Sequence, residues 1–386
     1  MKIDIAVPSR LYHFRPNPLP VILVALMAIG LAVAMVRFAS GIGAISNLSN
    51  TYPWGFWISF DIYTGIAISS GAFLLAAAVY IFEIRSLRPL LMPTILTALL
   101  GYFMEVLALM VDLGRPERIF NMLFYQNFTS WMLVVGLCVM IYLAILAVEI
   151  APIFLRGLKQ DKWAHFARRF IKPAVILGVV VSTIHQGSLG ALLLIQSAKL
   201  HPLWWTPLLP VMFFVSSISI GLAMVIFESS MTSRYFKSHH LEIKLLAKVA
   251  GAIPYAVGIY AVLRFAQLFL SGNSQYLFSS GLMSVLFWVE IVIGVVVPFI
   301  LFISPRNRAD PRTLLIGAII LLVGMVLNRF NVSWFGIHRL QEVGYVPSLA
   351  EISISLAIFS FGILAFGLGA RYLPLFEDSD AIAERA

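Results

Sequence analysis

Apolar residues in this chain fall into ten runs separated by short polar connections, each run close to the roughly 20 residues that a helix needs to cross about 30 Å of hydrocarbon. The runs predict membrane-spanning helices near 20–40, 57–82, 92–112, 130–150, 173–196, 206–227, 248–270, 281–303, 313–330 and 350–372, an all-α polytopic protein with one integral membrane domain over 1–386. Lys and Arg concentrate in alternate connections: Lys2, Arg10 and Arg15; Arg85 and Arg88; Arg156, Lys159, Lys162, Arg168, Arg169 and Lys172; Arg234, Lys237, Lys244 and Lys248; Arg306, Arg308 and Arg312. By the positive-inside rule these connections and both termini are expected in the cytoplasm. The connections at 41–56 and 271–280 contain neither Lys nor Arg. Ile81-Phe82-Glu83 closes the second run and Ile226-Phe227-Glu228 the sixth, four helices apart. That echo predicts two similarly oriented four-helix bundles, with the first and last helices flanking them.

Composition sharpens this picture. Charged residues make up 12% of the chain, about half the share of an ordinary soluble domain, which excludes that class. The net charge of +9 sits mostly in connections, where it reads as a topology signal and not as a nucleic-acid surface. The single cysteine, Cys138, lies in an apolar run, so the chain offers neither a disulfide framework nor a cysteine-held iron–sulfur or zinc site. No small-residue cleavage site follows the first apolar run, so it is expected to be retained as a helix. The acidic end, Glu377 to Glu384, reads as solvated.

Within the runs, titratable residues are few and biased towards one side. His185, in Ser182-Thr183-Ile184-His185-Gln186-Gly187-Ser188-Leu189-Gly190, is the one histidine inside a span; a titratable group there marks a site facing a helix bundle. Asp61 falls about one turn below the outer end of the second helix. Asp112 ends the third helix, and Glu105, on the same face, lies roughly 10 Å deeper. Arg264, Gln267 and Glu290 fall in the outer halves of the seventh and eighth helices, and Arg115 and Arg329 at outer boundaries. Glu83, Glu149 and Glu228 are expected at inner helix ends. Trp57 and Trp204-Trp205 suit an interfacial belt, but the small residues Thr64, Gly65, Ser69, Ser70 and Gly71 following Asp61 leave room for close helix packing or a flat apolar ligand.

A histidine, carboxylates and a glutamine beside an apolar cleft suit a quinone, whose carbonyls need donors and whose reduction needs protons. The other histidines, His13, His165, His201, His239, His240 and His338, fall in predicted loops, so a haem held by two buried histidines is not expected. These residues equally suit a proton-coupled secondary transporter, and a passive membrane anchor is the third reading.

Pro53-Trp54-Gly55-Phe56-Trp57-Ile58-Ser59-Phe60-Asp61, Asp112-Leu113-Gly114-Arg115-Pro116, His185-Gln186-Gly187-Ser188-Leu189-Gly190, His201-Pro202-Leu203-Trp204, Ile226-Phe227-Glu228, Leu263-Arg264-Phe265 and Phe287-Trp288-Val289-Glu290 together resemble the NrfD/PsrC (polysulphide-reductase-type) membrane subunits, and within them the HybB type of uptake nickel–iron hydrogenases. The resemblance implies a haem-free subunit of the bacterial cytoplasmic membrane without an iron–sulfur cluster of its own. Such a subunit exchanges electrons between the menaquinone or ubiquinone pool and a periplasmic iron–sulfur partner of four-cluster ferredoxin type. Catalytic partners would be a nickel–iron hydrogenase or a multihaem cytochrome c. Asp61, Asp112, Arg115 and His185 match the family's motifs; Trp57 and Gln186 complete the expected quinone-binding set. Burial logic adds Glu105, Asp112, Glu290 and Glu228 as a proton path and assigns Arg264 and Arg329 to structural ion pairs.

Overall fold

The computed structural model describes residues 18–50, 52, 54–235, 241–337, 344–373 and 375. Lys2, Arg10, Arg15, Lys237, His13, His239, His240, His338, Pro53 and the stretch from Glu377 to Glu384 lie outside the described residues.

Among the described residues ten helices are long and apolar enough to cross a membrane: α1 Leu19–Ser40, α2 Trp57–Ile81, α3 Arg85–Asp112, α4 Trp131–Gly157, α5 Ile171–Leu194, α6 Leu209–Tyr235, α7 Ile243–Leu270, α8 Leu282–Ile303, α9 Pro311–Phe335 and α10 Leu349–Tyr372. Several continue past their apolar runs, because a helix end that reaches water or headgroups tolerates polar residues while keeping its backbone bonds internal. The longest correction is α6, which runs on to Tyr235 and so carries Glu228 inside the helix, not at its end.

Helices α2 to α5 close one ring, in which α2 packs on α3, α3 on α4, α4 on α5 and α5 on α2. Helices α6 to α9 close a second ring in the same order. The rings join where α6 meets α5 and α2, and where α2 meets α9; α1 pairs with α10, and that pair lies against α3 and the start of α2. The echo of Ile81-Phe82-Glu83 in Ile226-Phe227-Glu228 thus coincides with a real repeat of architecture, although the two triplets sit differently in their helices.

Contacts between helix ends identify the two faces. Arg37 at the end of α1 reaches Val111 at the end of α3, and Trp57 at the start of α2 reaches Glu351 at the start of α10. Ser333 near the end of α9 bonds Ser59 near the start of α2 at 2.8 Å. At the opposite face Lys248 contacts Ser86, and the guanidinium of Arg308 lies beside Gly251. That second face gathers the basic connections and is called the basic face below.

Helix α2 is the hub of the molecule and the most buried of the spans. Its first turns, Trp57–Ile62, are wound as a π-helix, as is Asn331–Phe335 of α9. These widened turns, frequent at functional sites, bring Ser59 and Ser333 together. Further along, Gly71 of α2 crosses Gly221 of α6 so closely that a Cβ on Gly221 would stand 2.6 Å from the Gly71 amide nitrogen. Small residues permit this backbone approach, which drives helix association where lipid tails are as apolar as leucine.

Gly221→Val should therefore force the two rings apart. The expected outcome is a loss of about 1–3 kcal/mol, the usual effect of overpacking, read as a lower melting temperature of the purified protein in detergent. Gly65→Ala is the matched control: a Cβ there meets nothing within 4 Å, and its melting temperature should stay near that of the wild type.

Candidate functional site

The first polar cluster lies at the centre of the first ring. Tyr102 and Glu105 are three residues apart on α3 and so share a face; His185 faces them from α5, and its neighbour Gln186 turns towards α2. All four are buried, His185 and Gln186 completely. The Tyr102 hydroxyl lies 3.0 Å from His185 Nδ1, and the Tyr102 ring packs on Tyr142 of α4 with centroids 4.8 Å apart. If the phenol donates, the ring proton of a neutral imidazole resides on Nε2, which points at Glu105 Oε1 across 3.8 Å. That is too long for a hydrogen bond, and neither His185 Nε2 nor Glu105 Oε2 has a partner within the protein. Gln186 donates through Nε2 to the Ile66 carbonyl at 3.0 Å, leaving its own Oε1 without a partner.

The second cluster joins α1, α2, α3 and α10 near the face opposite the basic one. Asp61, in the π-turn of α2, accepts a 2.5 Å bond from Ser355 of α10; its Oδ1 and Asp112 Oδ1 are buried without partners. Arg37, buried in α1, donates to the Val111 carbonyl at 2.6 Å and to the Leu113 carbonyl. It thereby satisfies the C-terminal turn of α3 on either side of Asp112, a cation where the helix dipole favours one. Glu351 caps α10 reciprocally with Ser348 and accepts a 2.6 Å bond from Tyr345. Burial and this neighbouring carboxyl hold the Tyr345 phenol well above its ordinary range, so it stays a donor. Trp57, expected at a membrane interface, is instead wholly buried between α2, α3 and α10, with its indole N–H on the Glu351 carbonyl at 3.2 Å.

The third cluster occupies the second ring. Glu290 accepts from Asn328 and Asn331 at 2.7 Å each, from the Trp204 indole at 2.8 Å and from Tyr260 at 3.4 Å, so both its oxygens are engaged. The expected ion pairs are not what the structure shows. Arg329 donates to Asn328 Oδ1 and Ser216, both at 2.9 Å, and its guanidinium stacks 4.0 Å over Phe213. Arg264 lies over Phe287 at 5.3 Å, with Nε and Nη2 lacking partners. Among the described residues neither arginine has a carboxylate within 4.0 Å; Asn328 stands between Arg329 and Glu290 as a neutral bridge, sparing the closest approach of two desolvated charges.

The structure thus brings together Glu105 and His185, turns Gln186 to α2, and sets Asp61 and Asp112 in a second cluster. It separates Glu290, Arg264 and Arg329 into the other ring. Glu228 is buried against α3, accepting a 2.7 Å bond from Thr97, and Arg115 is exposed in the connection after α3. His201 lies in a loop yet is buried, its Nδ1 taking the Leu203 amide at 3.2 Å; burial alone therefore does not single out His185 among the histidines. Sequence reasoning missed Tyr102, Tyr142, Arg37, Ser355 and Glu351. Arg37 carried a signal, a charge inside an apolar run, and Tyr102 another, its spacing from Glu105. Ser355 carried none, because serine is common in membrane helices.

The polysulphide reductase, NrfD family matches residues 44–340, a stretch that spans both rings. A protein of Nitratidesulfovibrio vulgaris is 35% identical over 92% of this chain and 94% of its own length. The probable Ni/Fe-hydrogenase 2 b-type cytochrome subunit of Escherichia coli is 29% identical over 91% of this chain and 90% of its own. The menaquinone reductase integral membrane subunit of N. vulgaris is 28% identical over 90% of this chain and 88% of its own. With the family model matching residues 44–340 and a relative 35% identical over 92% of the chain, the chain belongs to the polysulphide reductase, NrfD family.

Proposed function

We propose that this chain is the quinone-interacting membrane subunit of a respiratory oxidoreductase, and that it holds a menaquinone or ubiquinone headgroup among α2, α3 and α5. The observation that carries this reading is the first cluster: His185 and Glu105 face each other from two helices, and His185 Nε2, Glu105 Oε2 and the neighbouring Gln186 Oε1 are buried without partners within the protein. Leaving such groups unsatisfied in a low-dielectric interior costs about 1–3 kcal/mol each. A ligand offering both acceptors and donors would recover that cost, and a quinone with its carbonyl and hydroxyl forms fits the donor set. When bound, the quinone supplies two-electron, two-proton chemistry. Tyr102 holds the His185 ring in one orientation, His185 donates through Nε2, and Glu105 exchanges the accompanying proton. Asp61 and Asp112 connect this cluster to the face opposite the basic one. Arg115, exposed on that face, is placed to receive an iron–sulfur partner of four-cluster ferredoxin type, itself joined to a nickel–iron hydrogenase or multihaem cytochrome c.

The positive-inside pattern supports an orientation with the basic face and both termini in the cytoplasm of a bacterium, so that electrons enter or leave from the periplasm. An inward proton route from Glu105 would follow α3, along which Thr97 and its partner Glu228 lie roughly 12 Å further towards the basic face. Glu290, with every oxygen occupied, acts as the structural centre of the second ring and not as a proton carrier.

The complex purified with its native partners tests the site. His185→Ala and Asp112→Asn should each lower quinone-linked turnover at least tenfold, with soluble-dye activity of the assembled complex retained. Unchanged quinone turnover in both variants would remove the site and leave the passive anchor as the better account. For Glu290→Gln the expectation is different. The amide must turn a donor towards Asn328, Asn331, Trp204 or Tyr260, so the melting temperature should fall, by an amount equivalent to about 1–3 kcal/mol, while quinone turnover per folded complex stays near wild type.

A further inference from the structure

Glu149 is a buried carboxyl that the quinone reading does not use. It lies about two turns inside the end of α4 and is 4% exposed, and among the described residues it accepts no hydrogen bond and pairs with no cation. A carboxyl in that condition within a span is expensive and points to a path for protons. It lines a cavity of about 130 Å³ at the basic face, enough for several waters. Tyr80 of α2, Arg88 of α3, Arg156 of α4 and Arg168 of the short helix Asp161–Arg168 line the same cavity. Tyr80, Arg88 and Arg156 are engaged with other groups, and Glu149 is the one carboxyl in the lining.

A polar ladder leads from Glu149 to the first cluster along the seam of α4 and α5. On α4, Tyr142 is seven residues from Glu149; on α5, Gly178, Ser182 and His185 follow at spacings of four and three, so each set occupies one helix face. At the first rung a Cβ on Gly178 would stand 3.4 Å from Tyr142 Cε2 and 3.6 Å from Glu149 Oε1. The tyrosine and the carboxyl thus flank the one position that a glycine leaves open, a space the size of a methyl group or a water. At the second rung Ser182 is wholly buried and adjoins the phenols of both Tyr142 and Tyr102, and its hydroxyl has no hydrogen-bonding partner of its own. At the third, the Tyr102 hydroxyl meets His185 Nδ1 at 3.0 Å. The whole climb from Gly178 to His185 is about 10 Å.

We propose that Glu149 is the proton-loading group for His185, taking protons from the basic-face cavity and passing them through a water at Gly178, the Tyr142 and Ser182 hydroxyls and Tyr102. This rests on the quinone reading of the first cluster, and it supplies that site along the α4–α5 seam, apart from Thr97 and Glu228 on the α3 side. A hydroxyl passes a proton on by accepting one as it donates another. Each proton that leaves the cluster at His185 is therefore replaced by one that enters at Glu149 from the cavity, and no group along the seam changes charge over a turnover; the electrons come from the iron–sulfur partner. Glycine at 178 keeps the ladder connected, because any Cβ there takes the place of the water.

In the purified chain without quinone, radiolytic hydroxyl footprinting reads water beside buried side chains. Tyr142, 1% exposed, should be labelled in the wild type. Labelling should fall severalfold in Gly178→Ala and persist in Gly258→Ala, where a Cβ meets only Phe299 at 3.7 Å. The methyl at 178 comes closest to Ile145 Cγ2, at 3.2 Å, so the fold accommodates it with a small shift. In the complex with its native partners, Glu149→Gln and Gly178→Ala should each lower quinone-linked turnover by roughly tenfold or more, with soluble-dye activity retained. Formate or azide, whose weak acids are small enough for the cavity, should restore turnover in Glu149→Gln, and Glu149→Asp should fall between it and the wild type. A purely structural role would show neither rescue. An unlabelled Tyr142 in the wild type, full turnover in both variants, or a loss in Glu149→Gln that neither weak acid nor aspartate relieves would each overturn the proposal and leave the quinone site standing. Absence of quinone-linked turnover in the wild-type complex would remove both. If Glu149→Gln does not assemble, Gly178→Ala, which removes no titratable group, decides the matter by itself.

Discussion

Polar groups carried into hydrocarbon have no water to fall back on, so each must be satisfied inside the protein or by something the protein binds. This constraint decides how the two rings differ. In the second, the carboxylate of Glu290 has both oxygens occupied by four donors from four neighbours. In the first ring and its junction with α10, three carboxyls each keep an orphaned oxygen: Asp61 Oδ1, Glu105 Oε2 and Asp112 Oδ1. One architecture used twice has therefore left a satisfied carboxylate in the second ring and partly unsatisfied carboxyls in the first and at its edge. That contrast among carboxyls, and not the shared ring topology, is what supports the site proposed above, because a fold by itself does not specify chemistry.

The architecture has its own logic. Helix α2 belongs to the first ring but touches the second through α6 and α9 and the outer pair through α10, and it is the helix richest in small residues at contacts. Gly71 meets Gly221, and Ser70 donates at 2.6 Å to the Ser217 carbonyl across the same crossing. Close packing there fixes the helix on which Asp61 and the Gln186 anchor at Ile66 both depend. The π-turn at Trp57–Ile62 shifts the register of α2 by part of a turn relative to a regular helix, and Asp61 emerges from it towards Ser355. Ser59 and Ser333 join this turn to the matching irregular turn of α9 through a hydroxyl–hydroxyl bond.

Much of this was legible in the sequence, for identifiable reasons. Apolar runs report directly on burial in lipid, so all ten helices were visible, and the basic connections separated the faces. Glu105 and His185 were visible as charges where charges are expensive. What was not legible depended on three-dimensional pairing. Arg264 and Arg329 looked like halves of ion pairs, but sequence cannot show that Asn328 would intervene or that Phe213 and Phe287 would lie beneath the guanidinium groups. Trp57 looked interfacial because it begins a helix; it is buried because α10 covers it, and α10 lies nearly three hundred residues away in the chain. Glu228 looked terminal because the hydrophobic run ends there, while the helix does not.

The position of Tyr102 gives the last step. A buried histidine can present either nitrogen, and a site built to exchange protons needs one chosen in advance. Tyr102 engages Nδ1, and the Tyr142 ring packed against Tyr102 fixes the phenol in turn. The free nitrogen is thereby directed at Glu105 from a distance too great to be quenched by it. A shorter contact would join the two as a satisfied pair, as Glu290 is satisfied in the second ring. The separation keeps both groups available to a third participant, and it is set by α3 and α5 through their packing on α4 and α2. The placement of His185 is in that sense a consequence of ring geometry: the same helix contacts that hold the bundle together hold the imidazole and the carboxyl apart.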